Sequence, residues 1–208
     1  MVHQRRVAER AERRRRIQEV AREVIAAQGF AGSSIEQIAR AAQISVGAIY
    51  MHFRSKDDLC VSLVEGALTQ VLGEMASGDA PHRQGLGGAW ARLTAWIDEG
   101  DHAQILRLLA QPKVRSQLSD EVATAVARGT QRVIEHLATC VRAGSDVGRY
   151  RPVDAVQVAE LLWALLLGYL DTGDMEANLG RPLAPLAVRA QQGLAIVEHA
   201  LAPSSAAA

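Results

Sequence analysis

Two cysteines among 208 residues leave no framework for a disulfide-stapled secreted fold. Long apolar runs are missing as well. The longest, Leu161 to Leu170, is ten residues with Gly168 inside, too short to span a bilayer. The opening Met-Val-His-Gln-Arg-Arg carries charge with no apolar segment behind it, so no secretory signal is expected. No stretch alternates β-branched and polar residues between turn signals, which removes strands from the expected fold, and no segment repeats. A Gly-rich phosphate loop, a nucleophile elbow and a paired His/Asp pattern are all absent, which argues against an enzyme; no cofactor or metal is implied. What is present is a folding composition, 49% apolar and 22% charged, on a length that suits one ordinary domain or two small ones. A cytoplasmic protein is expected.

A net charge of zero hides an asymmetry. Residues 1–56 hold eleven basic side chains against five acidic ones, a net of +6, and the remainder carries −6. A basic head on an acidic body is what a polyanion-binding end looks like, although an arginine-rich helix face can also be merely solvated.

Nearly all of the chain has helical periodicity. From Arg10 to Gln28 the apolar residues Ile17, Val20, Ala21, Val24 and Ile25 form one stripe on an arginine-studded helix that Gly29 should end. Ser33 with Glu36 reads as a capping box opening a short helix; a second short helix should run from about Ser45 to His52. Ser55 should cap a longer helix with Asp57 and Asp58 at its positive end. Residues 77–88 read as a turn-rich connection. Beyond it the pattern predicts helices around Leu86–Ile97, Ile105–Leu109 and Ser119–Gly144, another starting at Pro152 and running to about Asp171, and a last one over Ala190–Leu201. The expected fold is all-α with about nine helices. A helix-turn-helix domain occupies 1–56, a connecting helix about 56–76, and a ligand-binding and dimerisation domain 77–208.

The segment Ser33–Lys56, SSIEQIARAAQISVGAIYMHFRSK, has the layout of a helix-turn-helix, whose second helix enters the major groove. Small residues Val46, Gly47 and Ala48 stand where that helix would approach base edges. Tyr50, His52 and Lys56 are phosphate-contacting types, and Ser33 and Ser34 offer hydroxyls and N–H groups at a helix start. With the arginine-rich first helix, Gly29-Phe30, Ile38-Ala39 and the run Ala48 to Leu59, this segment strongly resembles the N-terminal domain of TetR-type transcriptional regulators. The resemblance spans residues 10 to about 65. It implies that Tyr50, His52 and Lys56 clamp phosphates, that Ser45 to Ala48 face bases, and that the protein is a homodimer through its last two long helices. One position departs: Gln43 stands where the family usually has Gly in the turn, a place that commonly needs positive φ and costs a side chain about 1 kcal/mol. Either the turn differs or packing of Ile44 absorbs the cost. Because Val46-Gly47-Ala48 is poor in base-reading groups, readout is expected to fall to Gln43, Gln37, methyl contacts with thymine and DNA shape.

His136 and Cys140, four apart on a helix, have metal-ligand spacing without further ligands, and packing or a pocket wall is the simpler reading. Cys60 reads as a small hydrophobe. Trp90, Trp96, Trp163 and Tyr169 read first as core and second as pocket wall. An effector pocket is expected among Trp90, His102, Leu106, Arg107, Arg132, His136, Trp163 and Tyr169. The stretch Ala159–Leu170 is apolar nearly all round, so a dimer interface is expected at Leu162, Leu166, Leu194, Val197 and Leu201. The function that follows is a DNA-binding regulator, a repressor released from a palindromic operator by a small, largely apolar ligand. Two other classes stay open: a DNA-binding dimer controlled by a protein partner, and an enzyme using His102, Arg107 and His136.

Overall fold

Helix formation begins at the second residue. A computed structural model of the chain describes residues 2–77, 81–99, 116, 118–178, 180 and 183–203. Among these residues are eight helices and no strand: α1 (Val2–Gly32), α2 (Ile35–Ala41), α3 (Val46–Tyr50), α4 (Lys56–Ala76), α5 (Pro81–Glu99), α6 (Asp120–Asp146), α7 (Ala155–Asn178) and α8 (Leu186–Leu201). The all-α expectation is met. The expected short helix around 105–109 lies outside the described residues.

Several boundaries differ from expectation, each for a local reason. Nothing breaks α1 before Gly29, and the ion pairs Arg5–Glu9 and Arg15–Glu19 at i, i+4 support its first turns, so it starts well before Arg10. At Gly29, φ of 74° interrupts the helix. The connection expected over 77–88 is mostly helix: α5 already runs from Pro81 and is interrupted only at Gly85, where φ is 61°. Pro152 does not open α7. Asp154 does, its carboxylate accepting from the N–H groups of Val156 (2.9 Å) and Gln157 (3.2 Å). That helix also continues past Asp171 to Asn178.

The chain divides into two compact units. The first comprises residues 1–67 and 104–127. Its core is Ile17, Ala21 and Ile25 of α1, Ile35, Ile38 and Ala39 of α2, Ile49 of α3, and Phe53, Leu59 and Leu63, all buried. The second comprises residues 68–103 and 128–208, where α8 packs on α5 and α7. Trp90 is fully buried there and its indole N–H donates to the Ala190 carbonyl at 2.9 Å, tying α5 to α8. Gly193 lets α7 come close, since a Cβ there would lie 2.6 Å from the Tyr169 hydroxyl and 2.8 Å from Leu165 Cδ2.

Two helical stretches, Lys56–Ala76 and Ala155–Thr172, are long and apolar enough by length and composition to cross a bilayer, which corrects the ten-residue estimate. In Lys56–Ala76 the residues Leu59, Leu63, Leu68, Val71 and Met75 are buried among protein neighbours, and in Ala155–Thr172 Ala159, Leu162 and Leu166 are.

Candidate nucleic-acid interface

Three capping arrangements build the α2–turn–α3 segment. Ser34, not Ser33, is the N-cap of α2. Its hydroxyl accepts from Gln37 N–H at 3.2 Å, and the Gln37 side-chain oxygen accepts from Ser34 N–H at 2.7 Å. The box therefore sits one residue later than the Ser33/Glu36 pairing expected. Ser33 is buried and donates its hydroxyl to the Phe30 carbonyl, so it presents no outward donor. The Gln37 oxygen, expected at a base edge, is held in the cap.

The turn after α2 is a Schellman arrangement. Gln43 N–H donates to the Arg40 carbonyl (3.1 Å), and Ile44 N–H reaches back to Ala39 (3.0 Å). Gln43 takes φ of 56°, the one positive φ at a non-glycine position among the described residues. The side chain thus adopts the left-handed geometry that the family usually gives to glycine. Half-buried Ile44 anchors the far side of the turn.

Ser45 then caps α3, its Oγ accepting from Ala48 N–H at 3.1 Å. Fully buried Ile49 fixes the inner face of this five-residue helix. Outward stand Gln43, Ser45, Gly47 and Tyr50, with Val46 and Ala48 half-buried. Tyr50 is 51% exposed and Met51 74%. A Cβ on Gly47 would meet only the Ser45 hydroxyl, at 3.9 Å, so packing within the chain does not require glycine here. Its bareness leaves room for a close external approach.

His52 and Lys56 close the segment differently. His52 is half-buried, and its imidazole is kept neutral to lower pH than usual, by burial first and then by Arg10, Arg13 and Arg14 nearby. Lys56 donates from Nζ to the carbonyls of Phe30 (2.6 Å) and Ser33 (2.9 Å) and lies 4.5 Å from the Phe30 ring centroid. At most one of its three N–H donors is left for a phosphate, so its first role is to lock the α1–α2 junction. Sequence reading missed a second brace. The Arg14 guanidinium sits 4.2 Å from the Phe53 ring centroid and donates to the His52 carbonyl at 2.7 Å. Its position on the face of Ile17 and Ala21 was the available signal.

The residues expected at an effector pocket differ in burial. Trp90 is core, its only donor spent on Ala190. Arg132 is exposed on α6. His136 is half-buried, bonded to the Met75 backbone and held more neutral than usual by its burial, while burial pushes the Cys140 thiol up. Trp163 and Tyr169 are half-buried on α7, and the Arg189 guanidinium lies 5.3 Å from the Tyr169 ring centroid. His102, Leu106 and Arg107 lie outside the described residues.

The expected interface residues need correcting too. Leu162, Leu166, Leu194 and Leu201 are buried within the subunit, and Val197 is half-buried. They form the inner stripe of helices that are apolar on more than one side. The outward apolar residues are Leu161 (57% exposed) on α7 and Val188 and Ile196 (73% exposed) on α8.

Residues 17–63, which span this segment, match the model of bacterial regulatory proteins of the tetR family. Over 180 residues the chain is 26% identical to the HTH-type transcriptional repressor NemR of Escherichia coli K12, covering 84% of this chain and 86% of NemR. SmeT, the repressor of a Stenotrophomonas maltophilia multidrug efflux pump, solved in complex with triclosan, has the same fold, with TM-score 0.77 at 20% identity over 93% of each chain. So does FadR of Bacillus subtilis in complex with stearoyl-CoA, with TM-score 0.72 at 18% identity over 88% of this chain and 96% of FadR. The chain thus joins an N-terminal match to the tetR-family model, over its capped α2–turn–α3 segment, to an all-helical fold shared with SmeT and FadR.

Proposed function

We propose that this chain is a cytoplasmic homodimeric repressor that holds a palindromic operator and releases it when a small, largely apolar effector binds residues of the 77–208 region. The observation that carries the DNA-binding part is the outward face of Gln43, Ser45, Gly47 and Tyr50, held by two side-chain caps and a Schellman turn. In this reading α3 enters the major groove. Glycine at position 47 permits close approach, and the Tyr50 hydroxyl and the His52 imidazole donate to phosphate oxygens.

Two such heads on one face of a duplex must stand about 34–36 Å apart, one helical turn. A dimer through the exposed apolar stripes of α7 and α8 would supply the second head. Effector release then needs only a two-state change that separates the heads differently. Helix α4 is the natural lever, because it is one continuous helix from Lys56 to Ala76. Arg92 of α5 holds its last carbonyls, donating to Glu74 at 2.8 Å and Met75 at 2.9 Å. The complexes of SmeT with triclosan and FadR with stearoyl-CoA support an apolar effector class.

The test is fluorescence anisotropy on duplexes selected by the protein from a random pool. Palindromic sequences should emerge. Tyr50→Phe should weaken binding to selected and mixed-sequence DNA alike by about 5–10-fold, roughly the loss of one hydrogen bond. Equal affinity of the Phe variant would remove Tyr50 from the phosphate contacts. For the effector, a compound that raises Tm by mass action should also lower operator affinity. One that stabilises the protein and leaves operator binding untouched contradicts coupled release.

A further inference from the structure

Helix α1 extends about four turns, roughly 22 Å, before its first buried residue, Ile17. Over residues 4–16 it carries seven arginines and two glutamates. Their placement is not uniform. Arg5–Glu9 and Glu12–Arg15–Glu19 run along one face as exposed ion pairs. At 3.6 residues per turn, Arg6, Arg10 and Arg13 fall on the other face, the one that continues through Ile17, Ala21 and Val24. The inner face of α1 thus changes from apolar, where it packs on α2, to basic over its first four turns, beside the α2–α3 turn and the end of α3.

This basic stripe adjoins the recognition segment. Arg10 reaches the Met51 carbonyl at 3.5 Å and Arg14 the His52 carbonyl at 2.7 Å, at the end of α3 where Tyr50 and Met51 stand exposed. The field of Arg10, Arg13 and Arg14 is felt at His52. Arg13 also borders, with Arg16, Gln43 and Ile44, an open cleft of about 830 Å3 beside the turn. Glu9 and Glu12 line the same cleft, and Arg5 and Arg15 already neutralise them. A helix that pairs off one face and leaves the other cationic, next to a helix-turn-helix, is complementary to a continuous polyanion.

We propose that the first four turns of α1 are a second DNA-contacting element, in which Arg6, Arg10 and Arg13 lie along duplex phosphates adjoining those held by α3. The inference rests on the helix-turn-helix reading above and adds to it a sequence-independent contact. The variant R6Q/R10Q/R13Q should bind a long mixed-sequence duplex with a salt slope smaller by about two to three units per protomer, and at about 0.1 M salt with at least about tenfold lower affinity. R6Q alone, at an exposed position, should remove about one unit. The R5Q/R15Q variant, on the ion-paired face, should change the slope by less than about one unit. Circular dichroism and Tm establish that each variant is folded. If wild type binds and the triple variant keeps its slope, the second element is refuted while the helix-turn-helix reading stands. If R5Q/R15Q loses as much as the triple variant, charge and not the stripe is responsible, and the proposal falls. Failure of wild-type protein to bind any duplex would overturn both.

Discussion

Gln43 holds a left-handed backbone with a side chain attached, at a turn whose hydrogen bonds are otherwise complete. The strain is of the order of 1 kcal/mol, and part of it is offset by the flexibility that glycine would bring to the unfolded chain. Gln43→Gly should therefore raise unfolding free energy by about 0.5–1 kcal/mol, read as a higher midpoint in urea at an unchanged m-value. A lower midpoint would mean that the Gln43 side chain contributes contacts worth more than the strain. His52 gives a pH signature. In the free protein its protonation is suppressed, and nearby phosphates would favour the charged form, so DNA binding should take up a proton. Affinity should then rise as pH falls from the pKa of the histidine in the complex towards its lowered pKa in the free protein, and level off below that. The dependence should disappear in His52→Gln; an identical profile in that variant would assign it to another group. Both residues stood out in the sequence, Gln43 because a glycine position was filled and His52 by its place in the motif. Their local geometry was not legible, because it depends on Ile44 and on three arginines contributed by α1.

At the scale of elements, hydrogen-bonded capping decides where helices start, and this is where periodicity was least informative. A serine pair at 33–34 offers two possible caps. The structure uses the second because the first is spent on Phe30, and only the path of the chain after Gly29 distinguishes them. Likewise the glycine-rich stretch 77–88 reads as a loop, yet α5 runs from Pro81 and departs from helical geometry only at Gly85, with Leu86, Ala89, Trp90 and Leu93 buried beyond it. Lys56 shows how residue type can mislead about role. It looks like a phosphate ligand, but it spans two carbonyls at the α1–α2 junction. Lys56→Met should cost about 1–2 kcal/mol of stability by leaving those carbonyls without their charged donor. The salt slope of DNA binding should change by less than about one unit. A full unit lost with stability intact would restore the phosphate role.

For the molecule as a whole, the two long C-terminal helices present more apolar surface than one subunit can cover. The sequence made this plain in Ala159–Leu170. It did not separate inner stripe from outer, because a helix apolar all round has no period to read, so four of the five residues expected at the interface are core and Val197 is half-buried. If the outer stripe is the dimer contact, Leu161→Glu with Ile196→Glu should yield folded monomers by sedimentation and weaken operator binding by at least about a hundredfold, since one head alone loses the benefit of the second. A dimer surviving both substitutions would move the interface elsewhere.

The central claim is that this chain reads a specific DNA site as a pair of heads. The direct measurement is fluorescence anisotropy of the purified protein against the DNA upstream of its own gene, at two salt concentrations and with nonspecific competitor present. The account predicts tight, competitor-resistant binding that saturates at two protomers, or a multiple of two, per site. Weak binding that competitor removes, on this DNA and on duplexes selected from a random pool alike, would contradict it and leave the basic head a general DNA anchor.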